Sequence, residues 1–204
     1  MTFQNRVDPF GIVQANPARG QMMGNRGKIH HPATKTLLKR RYESSRWIIC
    51  LTKFEDRKRT VMGTGYTELF FVDEVTALAA GHRPCAECRR QEFTRFCHAV
   101  SSEFGQVPKA PAMDARLHRE RLGERLRMDA EACRQLPDGA MVAVDDKAFA
   151  RRGGMALPWS FGGYGEPIAW TEIAAQMPVL LTPALTVSAL RNGYQPVWHD
   201  SARA

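Results

Sequence analysis

TELFFVDEVTALAAGHRPCAECRR, residues 67–90, is the stretch of sequence that decides the fold prediction. Its first six residues are mostly β-branched, aromatic or leucine, which is typical of a strand. Asp73 is a favourable N-cap for a helix over EVTALAAG, and Gly81 suits the position just beyond the helix end. The turn His82-Arg83-Pro84 then brings Cys85 to the start of a second helix. The predicted order is therefore strand, helix, cysteine turn and helix.

The residues upstream predict further strands after an irregular beginning. Residues 1–36 are rich in Gly, Asn, Pro and Arg, which favours an ordered loop. RWIICLTKF, residues 46–54, is typical of a strand, and the charged run EDRKR suits a hairpin turn. Residues 60–72 would add one or two strands. TLLKRRYESS, before them, is either a short helix or an exposed linker.

The second half of the chain predicts a helix followed by a turn-rich β segment. Asp114 is expected to cap a helix over ARLHRERLGERLRM, and Asp138-Gly139 to form the turn into the strand AMVAV. A last helix is expected from about Pro183, with Gly193 as its stop. The predicted fold class is α+β, a small mixed sheet with helices around the cysteine turn. The predicted regions are a basic zinc-binding domain over 1–105 and an α+β region over 106–204, which could form one continuous domain.

The pair Cys85 and Cys88 predicts half of a zinc site. The N-terminal segment has no signal-peptide pattern and no stretch has about 20 consecutive apolar residues, so we expect a cytoplasmic protein without membrane association. Closely spaced thiols in a reducing compartment are more often metal ligands or redox groups than disulfides. Two thiols separated by two residues at a helix start can both reach one Zn²⁺ ion. A redox pair is the main alternative, but it usually follows a thioredoxin-like strand.

Residues 67–90 resemble the second half of the Ada-type metal-binding domain. In that family a strand with a Phe pair, a helix ending Ala-Ala-Gly and an Arg-Pro-Cys-x-x-Cys turn supply the last two zinc ligands. The resemblance covers about an eighth of the chain, and it implies Zn²⁺ on Cys85 and Cys88 together with a DNA context. The chain departs from the family pattern upstream, where it has Cys50 alone instead of Cys-x₃-Cys. The family's methyl-accepting role therefore does not transfer securely to Cys50.

A closed structural zinc site needs four ligands, so two more have to come from elsewhere in the chain. Cys50 is the preferred third ligand, because the matched strand would place it beside the cysteine turn. His30 is the preferred fourth, at the end of a glycine-rich loop that could fold over the site. The alternatives left open are His31, Cys97 and His98.

The distribution of charge indicates a polyanionic partner. The chain carries a net charge of +8, and residues 19–60 contain twelve Lys and Arg against three acids. A concentrated basic segment is typical of proteins that bind a phosphate backbone, and DNA is favoured over RNA by the resemblance. The expected nucleic-acid contacts are Arg26, Lys28, Lys39, Arg40, Arg41, Arg57, Lys58 and Arg59.

The first function predicted is therefore a zinc-stabilised protein that binds nucleic acid or takes part in its repair. One alternative is a zinc- or acid-dependent nuclease using Asp114, His118 and Arg121, which are spaced to share a helix face, although a solvated face is the simpler interpretation. A zinc deaminase fits poorly, because its His-x-Glu should precede the cysteines and the only one here begins at His118. A non-catalytic interaction module is the third alternative. The sequence leaves the oligomeric state open.

Overall fold

The computed structural model describes residues 2–203, and these form an α+β protein with two six-stranded sheets. The predicted fold class is therefore confirmed. The strands are β1 Gln4–Val7, β2 Val13–Ala15, β3 Met22–Asn25, β4 Ile48–Leu51, β5 Leu69–Phe71, β6 Arg83–Pro84, β7 Met141–Val144, β8 Lys147–Arg152, β9 Met155–Ser160, β10 Gly163–Tyr164, β11 Ile168–Ala169 and β12 Val179–Leu180. The helices are α1 Glu74–Ala79, α2 Arg90–Ala99, α3 Ala110–Leu122, α4 Ala130–Arg134, α5 Trp170–Ala174 and α6 Ala184–Arg191.

The first sheet carries the cysteine turn. Its strand order is β2-β1-β5-β3-β4-β6, with β1–β5 and β4–β6 parallel and the other pairs antiparallel. The second sheet has the order β10-β9-β8-β7-β12, with β11 paired to β9, and all of its pairs are antiparallel. Strand β3 therefore lies between β5 and β4, at the centre of the first sheet.

Helix α1 forms where the sequence predicts it. The Asp73 side chain accepts a hydrogen bond from the backbone N–H of Thr76 at 2.8 Å, which satisfies one of the free donors at the helix start. All six residues of the helix are buried. Gly81 follows the C-cap with φ of +83°, a conformation that glycine adopts without steric cost.

Two local predictions differ from the structure. The region 1–36, expected to be an ordered loop, contains β1, β2 and β3. Residues 60–72 supply one strand, β5, and the segment TLLKRRYESS is not helical, which is the second of its two predicted alternatives. Helix α3 begins at Ala110, so Asp114 lies inside it and does not cap it; Pro111 occupies the first turn, where a missing N–H is harmless.

A single cluster of buried apolar side chains draws on both predicted regions. It includes Ile49, Leu78 and Phe96 from the first region and Leu117 and Trp170 from the second. The boundary predicted after residue 105 stays a prediction.

Two fully buried ion pairs join elements across the core. Arg83 donates from Nε and Nη2 to the two carboxylate oxygens of Asp114, at 2.9 and 2.8 Å. Arg89 donates from Nη1 and Nη2 to the two carboxylate oxygens of Glu74, both at 2.7 Å. Each arginine is 2% exposed, so each buried charge is neutralised by its own bidentate partner, as burial of an ion requires.

Among the described residues, no helix is both long enough and apolar enough to cross a lipid bilayer.

Candidate metal centre

Three neighbouring strands bring the cysteines together. Cys50 lies on β4, opposite Met23 of the central strand β3. Strand β6 runs parallel to β4 with Ile49 opposite Pro84, and the backbone N–H of Cys85 donates to Ile49 at 2.9 Å. The chain then turns before α2, which places Cys88 back beside the end of β4.

The sulfur atoms of Cys50, Cys85 and Cys88 all lie within 4.8 Å of one another. Zn–S bonds of about 2.3 Å at tetrahedral angles put two sulfurs about 3.8 Å apart, so the cluster is close to the spacing that one metal ion imposes. Cys50 and Cys85 are buried and Cys88 is half-buried. The three thiols could therefore hold one metal ion, as the sequence predicts for these residues.

The protonation of the cluster also favours a cation. Hydrogen bonds from the thiols of Cys50 and Cys88 lower the pKa of Cys85 to about 2. The same hydrogen bonding, together with burial, raises the pKa of Cys50 above its ordinary value. Without a metal ion only one sulfur is readily a thiolate, because neighbouring negative charges oppose each other. A divalent cation removes that opposition and allows all three thiols to ionise.

The surroundings of the sulfurs are apolar on the sheet side and polar on the turn side. Met23 is buried against Cys50 and Cys85, and Phe70 packs on the same group. The backbone N–H of Glu87 points at the Cys85 sulfur at 3.4 Å, which favours a thiolate there. The Glu87 side chain forms an exposed ion pair with Arg57, so the segment after β4 folds back over the cysteine turn.

The expected fourth ligand lies elsewhere. His30 is buried, but its Nδ1 contacts the Thr67 hydroxyl at 2.6 Å and its Nε2 contacts the Gly63 carbonyl at 2.8 Å. Both ring nitrogens are therefore engaged in holding the loop, and His30 does not join the three sulfurs. Neither do the remaining alternatives, among the described residues: His31, Cys97 and His98 are outside the cluster.

The residues of the nuclease alternative are mostly engaged in holding the structure. Both carboxylate oxygens of Asp114 bind Arg83. His118 Nδ1 lies 3.0 Å from Arg121 Nη2, and burial together with that arginine lowers the pKa of His118. Arg121 also donates to the backbone carbonyls of Gly81 and Ser45. No carboxylate of this set is free to bind a metal ion or a water nucleophile.

The expected nucleic-acid contacts divide into exposed and buried residues. Most are exposed or half-buried, and Arg40 and Arg57 are the two of them with an ion-pair partner among the described residues. Arg26 is the exception, because it is only 1% exposed. A count of charges along the sequence cannot distinguish a buried guanidinium from one that faces solvent.

A group of side chains around Trp47 was not predicted from the sequence. The guanidinium carbons of Arg26 and Arg121 lie 3.9 and 4.0 Å from the centre of the Trp47 ring, and the ring centre of His82 lies 5.1 Å from it. These residues come from four separate parts of the chain. Their only signal in the sequence is that three of them, Trp47, His82 and Arg26, directly flank β4, β6 and β3.

Comparisons of the chain with protein-family models, with curated proteins and with solved structures found no match. The interpretation of the site therefore rests on its own geometry and chemistry.

Proposed function

We propose that this chain is a zinc-binding protein whose partner is nucleic acid, with DNA favoured over RNA. The observation that carries the proposal is the convergence of Cys50, on β4, with Cys85 and Cys88, on the turn after β6. Three thiolates are a soft donor set, which favours zinc over magnesium or calcium. The ion would hold β4 and the cysteine turn together, and its fourth position would be filled from outside these three side chains.

Charge supports the nucleic-acid partner. The basic segment 19–60 keeps most of its charges free of acidic partners among the described residues, with Lys39, Arg41 and Lys58 exposed and outside any ion pair. Free surface cations can exchange places with the counterions of a phosphate backbone, which drives binding. The resemblance of residues 67–90 to Ada-type domains adds support for DNA.

The metal is tested by elemental analysis of protein purified without added metal. About one zinc per chain is expected in the wild type and in Cys97→Ala, whose thiol is buried away from the cluster. The double variant Cys85→Ser/Cys88→Ser should lose the metal and much of its thermal stability, since a site of this kind couples metal binding to folding. A wild type that is metal-free and as stable as the double variant would overturn the zinc proposal.

The partner is tested by the salt dependence of binding to duplex DNA. Each phosphate contact contributes about 0.9 to the slope of log K against log salt. Lys39→Gln/Lys58→Gln should therefore weaken binding and lower that slope by roughly 1 to 2. The control Lys109→Gln/Arg191→Gln removes two exposed charges outside the basic segment and should change neither quantity. If both double variants weakened binding equally, net charge rather than the basic segment would account for binding to DNA.

A further inference from the structure

A basic cavity of about 590 Å³ is lined by Arg26 and Arg121, the two arginines that lie over the Trp47 ring. It is formed by residues 10–13, by residues 37–41 and by the end of α3. Its lining contains no acidic side chain. It does contain six basic residues, namely Arg26, Lys39, Arg40, Arg41, Arg121 and Arg125.

Arg26 is the distinctive residue of this cavity, because it is buried without a carboxylate. Its Nη1 donates to the Gly11 carbonyl at 2.9 Å, its Nε contacts His82 at 3.3 Å, and its Nη2 has no hydrogen-bond partner. Arg83 and Arg89, the other two buried arginines, each bind both oxygens of an acid. Among residues 2–203, no carboxylate therefore binds Arg26 as a counter-anion.

The neighbours of Arg26 increase the demand for an anion. Burial, followed by the nearby charges of Arg121 and Arg41, lowers the pKa of Arg26 to about 9. The acid with an opposing effect is Asp8, and its carboxylate already accepts hydrogen bonds from the Ile12 N–H and the Gln14 side chain at 2.9 and 2.6 Å. Burial raises the pKa of Asp8. Several cations thus face one cavity with little compensation.

The shape of the cavity suits a ligand with both an anionic and an apolar part. Gly11 lines it with φ of +80°, and a Cβ at that position would lie 3.6 Å from Nη2 of Arg26. Ile12, Leu38 and Leu122 line the same cavity and are 54%, 38% and 44% exposed. Exposed apolar side chains grouped around a charged pocket are typical of a ligand site.

We propose that this cavity binds the phosphate monoester of a nucleotide. The phosphate lies against Arg26, Arg41 and Arg121, whose guanidinium groups match phosphate oxygens in charge and in geometry. The base packs on Ile12 and Leu38 at the rim. The inference rests on the proposed function only in taking a nucleotide as the carrier of the phosphate. The carrier is either a free nucleotide or the terminal nucleotide of a strand, and the two share this chemistry.

The test is isothermal titration of the metal-loaded full chain with inorganic phosphate, AMP and adenosine. AMP should bind more tightly than phosphate, and adenosine should not bind measurably. Arg41→Gln and Arg125→Gln each remove an exposed cation of the lining, so both variants should fold, and each should weaken AMP binding about tenfold or more. The control Lys109→Gln removes an exposed cation outside the cavity and outside the basic segment, and it should leave AMP binding unchanged.

The same variants separate the two carriers and the two proposals. A 5′-phosphorylated oligonucleotide is compared with its 5′-hydroxyl form. If the phosphorylated form binds more tightly and Arg41→Gln abolishes the difference, the carrier is a strand end. If the two forms bind equally while AMP binds tightly, the carrier is a free nucleotide. No binding of AMP, or binding that Arg41→Gln and Arg125→Gln leave unchanged, would overturn the cavity proposal. If duplex DNA still bound in that case, the proposed function would stand. If AMP bound to the cavity but the protein did not bind duplex DNA, the cavity proposal would stand and the proposed function would be overturned.

Discussion

Replacement of Asp114 by Asn tests whether this residue stabilises the fold or belongs to a reactive site. Asn has nearly the same shape, so it can keep the hydrogen bond from Arg83 Nε, which is 2.9 Å long in the wild type. Its amide group would then face Arg83 Nη2, donor against donor, across the present 2.8 Å contact. The charge of Arg83, which is 2% exposed, would be left buried without a counter-charge.

The expected cost is about 3 kcal/mol, the lower end of the range for breaking a buried ion pair by removing one partner. For a chain of 204 residues this corresponds to a fall in Tm of roughly 6 to 12 °C. The assay is thermal unfolding of the metal-loaded protein followed by circular dichroism. Arg119→Gln, an exposed change on the same helix, is the control and should stay within about 2 °C of the wild type.

A Tm of Asp114→Asn within about 2 °C of the wild type would refute this reasoning. Residues kept for chemistry often cost stability, so an increase in Tm would instead favour a reactive role. The double variant Arg83→Met/Asp114→Leu gives a second check. It should recover much of the lost stability, because neither charge would remain buried and unpaired.

Two further changes test other parts of the structure. Glu74→Gln should lower the free energy of unfolding by about 3 kcal/mol or more, because Arg89 would lose its counter-charge and the Tyr194 hydroxyl would lose a strong acceptor. Urea unfolding measures this change, and a loss below about 1 kcal/mol would contradict the prediction. Gly81→Ala should cost about 1 to 2 kcal/mol, because φ is +83° and the new Cβ would lie 2.8 Å from Cδ of Arg121. It should also weaken AMP binding by displacing that arginine, and a variant with unchanged stability and affinity would contradict both parts.

The parts of the structure that the sequence predicted well depend on neighbouring residues. Asp73 and Gly81 delimit α1 through contacts within a few residues of themselves, so their types carry the signal. The joining of Cys50 to Cys85 and Cys88 was expected because the strand and the turn lie in a recognisable order. The limits of α1 are decided within a short segment of chain, whereas the link from Cys50 to the turn was expected from the order of elements in the resemblance.

The parts that were missed depend on contacts between distant segments. Gly24 suggested a loop, but it lies in the central strand β3, where a Cβ would come within 2.2 Å of the Ile48 carbonyl. The glycine is there to allow close approach of a neighbouring strand, which its type alone does not reveal. Asp114 was predicted to cap a helix, but its carboxylate instead binds Arg83, which lies thirty-one residues earlier in the chain. Similarly, the burial of Arg26 depends on Trp47 and His82.

The hydrogen bonds of Asp73 and Glu74 also bear on the order of events during synthesis. Asp73 accepts from the Tyr164 hydroxyl and the His199 N–H, and Glu74 from the Tyr194 hydroxyl and the Val197 N–H. These partners are synthesised 91 to 126 residues after the carboxylates themselves. The hydrogen bonds of these two acids at the start of α1 therefore remain incomplete until residue 199 has been synthesised, so their native burial cannot precede that point.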